Sequence, residues 1–584
     1  MAIEVKNLAM HSEKTSQRSI GINLNHLWAR IILVSLRGIG VVHYYVSPGY
    51  RNVPFITQLQ TQDGLSVVSC IDERAAAFRA VGYIKRTGLP AALICTSGTA
   101  GANYYPGVIE ASQQGLPLLI LTCDRPFELV GSGSNQAIDQ QRLFGVFVKH
   151  YQPLPSPSQR TDGSVIFQLI RAWVSQGVQF PPGPVHCNVA FAEPLEAADE
   201  EESRLQEVED VLTTDKDGYD LALQKRVLTP NPNEMNRLAH LIKKKQRGLL
   251  VIGQVGEDAV TGLNRLIRQL QWPVYADVTM ASFMQREGLV VFEPRPGPVL
   301  EALIQYDPEC VLHFGKKLVS KWMDLYLKNH FNGCYFICSS QGKFQDPSFQ
   351  VVQCIDADER AVVEKLSSGY DQALQNDCHR VVPFQKKMAE WARGESRDIE
   401  SHRALSFSQI AWDVFWQIPS GSDLFIGNSL AIRVFDQVID LVNQLEKKIH
   451  IHANRGVSGI DGLVATSLGI ADGSNGPVTA VIGDISAIHD LNSLLYLAHA
   501  PVQIITIIIN NSGGGIFRRL PIASGKGVHP LMSTPHSWHF KNIAAMGDLG
   551  YEAVRSRDQF QSCYQKMLTH HESGIIECLI SDGS

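Results

Sequence analysis

Two strand ends late in the chain offer oxygen ligands for a single hard cation. The run "GPVTAVIGDIS" ends with Asp484 in a Gly-Asp pair; after 26 further residues (485 to 510) the apolar run "PVQIITIIINNSGG" delivers Asn511, Ser512 and Gly513. A carboxylate and an amide oxygen brought together by successive strands suit Mg²⁺, which prefers such donors and keeps coordination positions for phosphate oxygens. Taken singly, Asp484 reads as a helix cap and Asn511 as a turn residue. Their shared spacing is what points to chemistry. Ser429 and Arg433 in "GNSLAIR" stand four apart, on one face if the segment is helical, where by itself such an arginine reads as part of a solvated face. An arginine fork gives a carboxylate two parallel hydrogen bonds.

The elements that must position these residues follow an α/β rhythm, in which short apolar runs alternate with stretches of helical spacing, as in parallel sheets with crossover helices. In the first third the runs are "VVHYYV", "PAALICTS" and "PLLILTCD", and that third closes at about "GPVHCNVAFAEPL"; in the middle third they are "RGLLVIGQVG", "WPVYADVT", "CVLHFG" and "FQVVQCIDAD". The last third supplies "SDLFIGNS", "GPVTAVIGDIS", "PVQIITIIINNS" and "SGIIECLI". An acidic stretch from Glu196 to Asp210 reads as a solvated linker or connecting helix, and a second polar connection runs from about Leu366 to His402. The fold class is therefore α/β, with three doubly wound parallel-sheet domains over residues 1–195, 196–385 and 386–584. Ligands in such sheets sit outside the carboxyl ends of the strands.

Composition narrows the function. At 584 residues the chain exceeds one core, and a net charge of −6 implies no general affinity for nucleic acid or an anionic membrane. Eleven scattered cysteines with no Cys-x-x-Cys pair argue for reduced thiols in a cytoplasmic protein, and Cys334 and Cys338 read as core. Apolar runs reach about nine residues, short of the ~20 a spanning helix needs. The first twenty-five residues lack the apolar region of a signal peptide and read as a ragged start. "SGKG" at 524 to 527 lacks the earlier glycine of a P-loop, since Leu520 stands there.

The Gly-Asp pair, its spacing and the asparagine after an apolar strand resemble the thiamine-diphosphate motif. Such enzymes need a carboxylate on the aminopyrimidine ring. Glu73 in "SCIDERAAAFRAVGYIKRTG" follows a strand-like run and opens an Ala-rich helix; Glu359 in "CIDADERAVV" is a decoy without the same downstream context. "SPGYR", "DERAAAF", "CTSGTAGANYYP", "LTCDRP", "GSNQAIDQQRLFG", "GNSLAIR", "NRGVSGIDG", "IGDISAIHDLN" and "NNSGGGIF" occur in the order found in the 2-succinyl-5-enolpyruvyl-6-hydroxy-3-cyclohexene-1-carboxylate synthase family. The resemblance spans nearly the whole chain.

What the resemblance implies is a carboligase of menaquinone biosynthesis that decarboxylates 2-oxoglutarate on thiamine diphosphate and adds the succinyl carbanion equivalent to isochorismate. It implies a pyrimidine-binding first domain, a central domain without cofactor and a diphosphate-binding last domain. It also implies a homodimer or dimer of dimers, with glutamate and diphosphate site drawn from different subunits. Glu73 would be catalytic. Asp484, Asn511 and the Gly513 carbonyl would hold Mg²⁺ or Mn²⁺, with Ile485 and Ser486 beside them, Ile460 wedging the cofactor, and Ile516 and Phe517 lining the site. Ser429, Arg433 and Arg455 would take 2-oxoglutarate; Arg51, Arg125, Asn135, Gln136 and Lys321 would take isochorismate.

Two positions depart from the family pattern, both on the acceptor side. Tyr50 stands where serine is usual, and Trp322 stands beside Lys321 where a basic residue is typical. Either Tyr50 keeps a hydroxyl near the acceptor while Trp322 faces away, or acceptor choice is altered and the chain is a 2-oxoglutarate decarboxylase or carboligase with another acceptor. A non-catalytic thiamine-fold scaffold is the third reading; the presence of Glu73, Asp484 and Asn511 argues against it.

Overall fold

The computed structural model describes residues 23–158, 160–196, 228–245, 247–286, 288–342, 345–368, 378–442, 447–519 and 530–580. The chain divides into two compact units: Met1–Lys225 with Asp461–Asn475 and His489–Val502, and Arg226–Ile460 with Gly476–Ile488 and Gln503–Ser584.

The first unit is built on a six-stranded sheet of β1 (His43–Val46), β2 (Ser66–Ser69), β3 (Ala91–Cys95), β4 (Leu118–Asp124), β5 (His150–Leu154) and β6 (Val185–Ala190), ordered β2-β1-β3-β4-β6-β5. Every pairing is parallel. β3 and β4 are buried along their whole length, as expected of apolar strands covered on both faces.

The helix Glu73–Thr87 starts where the Asp72 side chain accepts from the amides of Arg74 and Ala75, and stops at Gly88, whose φ of 70° lets the chain turn. Its partner in the same unit is the helix Leu463–Asp472. Their backbones touch through glycine: a Cβ on Gly82 would lie 2.1 Å from the Thr466 carbonyl oxygen, and one on Gly469 would lie 1.7 Å from that of Arg79. A buried two-pronged ion pair closes the contact, Arg79 Nε and Nη2 donating to Asp472 at 2.7 and 2.8 Å while Tyr45 donates to the same carboxylate. Glu73 is thereby carried on an element that cannot slide.

The second unit holds two all-parallel sheets. One contains β7 (Gly248–Ile252), β8 (Val274–Ala276), β9 (Cys310–Phe314), β10 (Cys334–Ser339) and β11 (Val351–Asp356), in the order β11-β10-β9-β7-β8. The other contains β12 (Asp423–Ile426), β13 (His450–His452), β14 (Val478–Gly483), β15 (Ile504–Asn510), β16 (Gly550–Val554) and β17 (Gly574–Leu579), in the order β13-β12-β14-β15-β17-β16. Three parallel sheets with crossover helices make the α/β class expected from the sequence.

One expectation is corrected. The polar connection from Leu366 to His402 contains a 24-residue helix, Cys378–Ser401. Val381, Phe384 and Met388 are buried in the core of the β7–β11 sheet, and this stripe at helical spacing is diluted in the sequence by charged neighbours. The ragged start also ends sooner than expected, for Asn23 and Asn25 are buried and hydrogen-bonded. Residues 1–22, the acidic stretch from 197 to 210 and "SGKG" lie outside the described residues. The ten described cysteines are free, and Cys334 and Cys338 lie on β10 as expected of core positions. Among the described residues, no helix is long and apolar enough to cross a membrane.

Candidate active site

The cation ligands expected from the sequence converge at the ends of β14 and β15. Asp484 is buried; its Oδ1 accepts from the amide of Ile485 at 2.7 Å, and its Oδ2 accepts from the amide of Gly513 at 2.9 Å. Ser512 and Gly513 both adopt positive φ, 61° and 141°. A Cβ at Gly513 would sit 2.6 Å from the Ser533 carbonyl oxygen, so only glycine fits the turn. Burial raises the Asp484 pKa, against the opposing pull of the Gly513 and Ile485 amides and of His536. The Asn511 side chain makes no hydrogen bond among the described residues and lies against Gly515, where a Cβ would meet its Nδ2 at 2.2 Å. A buried carboxylate and an unspent amide on a tight glycine turn are the donor types a hard cation on a diphosphate takes. Ser486 is buried beside Asp484, while Ile485, Ile516 and Phe517 are half-buried. Ile460 is 38% exposed, which removes the plain core reading of that side chain.

Glu73 sits in the first turn of its helix in the other unit, half-buried, with no side-chain partner among the described residues. Burial raises its pKa, and the charge of Asp72 adds to the rise. A carboxyl so placed keeps its proton more readily than an exposed glutamate and can offer it to a ring nitrogen.

The first unit also gathers the expected acceptor residues at neighbouring strand ends. Arg51 follows β1, Ser97 follows β3 and Arg125 follows β4. Gly49 lets the first two loops meet, since a Cβ there would lie 2.5 Å from that of Thr96. Arg125 Nη1 donates to Ser97 Oγ at 2.7 Å and to the Gln136 carbonyl at 3.0 Å; Gln136, at φ 57°, donates back to the Ser97 carbonyl. Burial and then the positive charge of Arg51 lower the Arg125 pKa. Asn135 lies in an exposed turn of the same loop. Arg51 is buried, donating to the Phe191 carbonyl at 3.0 Å and to Glu193 at 2.9 Å, and the Tyr50 hydroxyl donates to Glu196.

On the second unit, Ser429 caps the helix Leu430–Ile439 with φ 67° and ψ −123°, a strained conformation for a side-chain-bearing residue. Arg433 folds back to donate to the Ser429 carbonyl at 2.7 Å, and burial lowers its pKa. Arg455 donates to Asn428 Oδ1 at 3.1 Å, and Asn428 donates to the Gly459 carbonyl at 2.7 Å, so "GNSLAIR" and "NRGVSGIDG" are tied together. Lys321 is exposed at the start of the helix Lys321–Asn329, and its ammonium lies 5.0 Å from the centroid of the Trp322 ring. Trp322 thus makes a cation–π contact with the lysine beside it.

Sequence reasoning missed three supporting groups. His536 Nε2 stands 3.2 Å from Asp484 Oδ2 without the alignment of a hydrogen bond, and its ring stacks on Trp538. Glu293, buried, accepts from Ser320 at 3.0 Å and from Gln437 at 2.7 Å, joining the helix that bears Lys321 to the helix that bears Arg433. Gln140 and Asn188 link the Gly98 amide to Asp124 behind Arg125. None has a local signal, because each partner is distant in sequence.

Comparison with known proteins bears on this arrangement. Residues 28–143 match the thiamine pyrophosphate enzyme N-terminal TPP binding domain, and residues 441–578 match the C-terminal TPP binding domain. A 2-succinyl-5-enolpyruvyl-6-hydroxy-3-cyclohexene-1-carboxylate synthase of Syntrophus aciditrophicus is 37% identical, over 95% of this chain and 96% of its own. The chain belongs to the 2-succinyl-5-enolpyruvyl-6-hydroxy-3-cyclohexene-1-carboxylate synthase family. Synthases of the same name from Chlorobium phaeobacteroides and Natronomonas pharaonis are each 33% identical, over 94% and 96% of both chains respectively. In this synthase-family chain Glu73 lies within the first matched domain and Asp484 and Asn511 lie within the second.

Proposed function

We propose that the chain is the carboligase its family name describes, joining 2-oxoglutarate to isochorismate with loss of carbon dioxide to give 2-succinyl-5-enolpyruvyl-6-hydroxy-3-cyclohexene-1-carboxylate for menaquinone biosynthesis. The observation that carries this reading is the likeness to synthases of that name over 95% of the chain. Thiamine diphosphate, when bound, supplies the nucleophilic carbon and the electron sink for decarboxylation.

The chain's own residues do the rest. Asp484, Asn511 and the Gly513 carbonyl hold Mg²⁺ or Mn²⁺ against the diphosphate, and Ile460, Ile485, Ser486, Ile516 and Phe517 pack around the cofactor. Glu73 holds a proton at its carboxyl against the aminopyrimidine, a task its raised pKa supports. Ser429, Arg433 and Arg455 take the distal carboxylate of 2-oxoglutarate, helped by the amide end of the Leu430–Ile439 helix. Arg51, Arg125, Asn135, Gln136 and Lys321 take the two carboxylates of isochorismate. Residues 1–195 serve as the pyrimidine domain, 196–385 as the central domain and 386–584 as the diphosphate domain, in a cytoplasmic homo-oligomer of at least two copies.

The test is to supply the protein with thiamine diphosphate, Mg²⁺ and 2-oxoglutarate and to measure carbon dioxide with and without isochorismate. Isochorismate-stimulated release with formation of the adduct is expected. Release that ignores isochorismate, with no adduct, would point to another acceptor, and no release at all would end the enzyme reading.

A further inference from the structure

Arg51, the acceptor arginine of the proposed function, is already occupied by a carboxylate of its own chain. Its side chain is 4% exposed, whereas that of Glu193 is 66% exposed, so the glutamate lies over the arginine as a cover. Beside it the Tyr50 hydroxyl is spent on Glu196. Both glutamates come from the loop after β6, next to β4 in the sheet, and its backbone is clamped from the helix Leu24–Gly38 and its cap. Asn23 Nδ2 donates to the carbonyls of Pro194 and Glu196, Asn25 Nδ2 to those of Ala192 and Pro194, and His26 Nε2 lies 2.8 Å from that of Leu195. Five side-chain contacts on four residues, two of them on Pro194, are not a chance drape. The loop presents its two carboxylates from a fixed backbone, with only the exposed side chains able to swing away.

We propose that Glu193 and Glu196 are specificity-determining residues of the acceptor site, internal carboxylates that hold Arg51 and Tyr50 until a substrate dianion displaces them. The proposal rests on the reading that Arg51 binds the acceptor. Any anion reaching Arg51 must first break its pair with Glu193. A monoanion gains one arginine in return, while a dianion can engage Arg125 as well, whose Nη1 is tied only to neutral oxygens. An internal competitor therefore penalises monoanions relative to dicarboxylates, which is selectivity by a repulsive element. It also gives the departure at Tyr50 a purpose: a serine there would be too short for the long reach that the tyrosine hydroxyl makes to Glu196.

The experiment measures KM for isochorismate and for 2-oxoglutarate in the wild-type protein, Glu193→Gln, Tyr50→Phe and Arg51→Ala, with acetate at constant ionic strength as a competing monoanion. Glu193→Gln should lower the isochorismate KM about fivefold, the weight of one partly exposed ion pair. It should strengthen acetate inhibition by more than that and leave the 2-oxoglutarate KM in place. Tyr50→Phe, which removes the hydroxyl and leaves Glu196 an unpaired carboxylate beside Arg51, should move the isochorismate KM the opposite way, up by about twofold. A rise in isochorismate KM in Glu193→Gln would mean the glutamate merely positions Arg51, and acetate inhibition equal in both proteins or absent from both would overturn the proposal equally. Arg51→Ala separates the two levels. If it leaves the isochorismate KM unmoved, the reading of Arg51 falls and the proposal with it; if it raises that KM while Glu193→Gln does not lower it, the proposal alone falls.

Discussion

The proposed cation cluster of the second unit and the proposed anion cluster of the first answer opposite charge problems with different materials. Around Asp484 the geometry is made by backbone: a Gly513 amide on the carboxylate, two successive positive φ values and a turn with no room for a Cβ. Around Arg51 and Arg125 it is made by long side chains, each held by an oxygen from another loop. A backbone turn leaves little freedom and suits a group that never changes. Side chains paired with exchangeable partners suit a ligand that comes and goes.

The largest effect expected falls on neither cluster but on Glu73, the proposed proton carrier. Glu73→Gln should cut turnover by about 10³-fold or more, since the amide cannot take part in proton transfer, while Mg²⁺-dependent binding of thiamine diphosphate, followed by fluorescence, persists. An unchanged rate would show that the wrong glutamate was chosen. Asp484→Asn should weaken Mg²⁺ by at least 10- to 100-fold, read from the metal dependence of cofactor binding. Gly513→Ala sharpens the contrast because it alters no charge. A methyl 2.6 Å from the Ser533 carbonyl forces the turn to move, so its loss of cofactor binding should approach that of Asp484→Asn. Should it bind normally, the cation cluster is not built by backbone after all.

The same contrast sets what could be read from the sequence. The cation cluster was legible because a backbone turn is written in adjacent letters, Gly-Asp and Asn-Asn-Ser-Gly. Every apolar run read from the sequence became a strand, and the strand-like run before Glu73 is β2. β5, β13 and β16 escaped because each is an edge strand whose sequence has no continuous apolar run. Interior β10 was seen only as an apolar core stretch, because two of its residues are the cysteines that drew attention. Glu193 over Arg51, 142 residues apart, and His536 beside Asp484, 52 apart, left no trace, since a pairing of side chains across loops has no spacing rule. The clamp by Asn23 and Asn25 was hidden for the same reason.

The smallest effect expected concerns the support behind the anion cluster. His186 on β6 lies wholly buried, its Nε2 2.7 Å from Thr122 Oγ1, which in turn donates to Asn188 in the network behind Arg125. Its Nδ1 has no partner among the described residues, and burial lowers its pKa to about 3. The unfolded imidazole titrates near 6.5, so the folded state takes a proton less readily than the unfolded one. The stability held by the neutral ring is therefore complete above about pH 6.5 and drains away as pH falls toward 3, with a limiting slope of about 1.4 kcal/mol per pH unit for one proton. Asp124, whose pKa burial raises, acts with the opposite sign, so a single melting curve would mix the two. The difference between wild type and His186→Gln isolates the histidine: the melting temperatures should converge as pH drops from 7 to 5, because only the wild type is losing this contribution. A gap that stays constant with pH would mean that the ring is protonated in place, and the anion cluster would then carry one more cation behind Arg125 than its geometry allows.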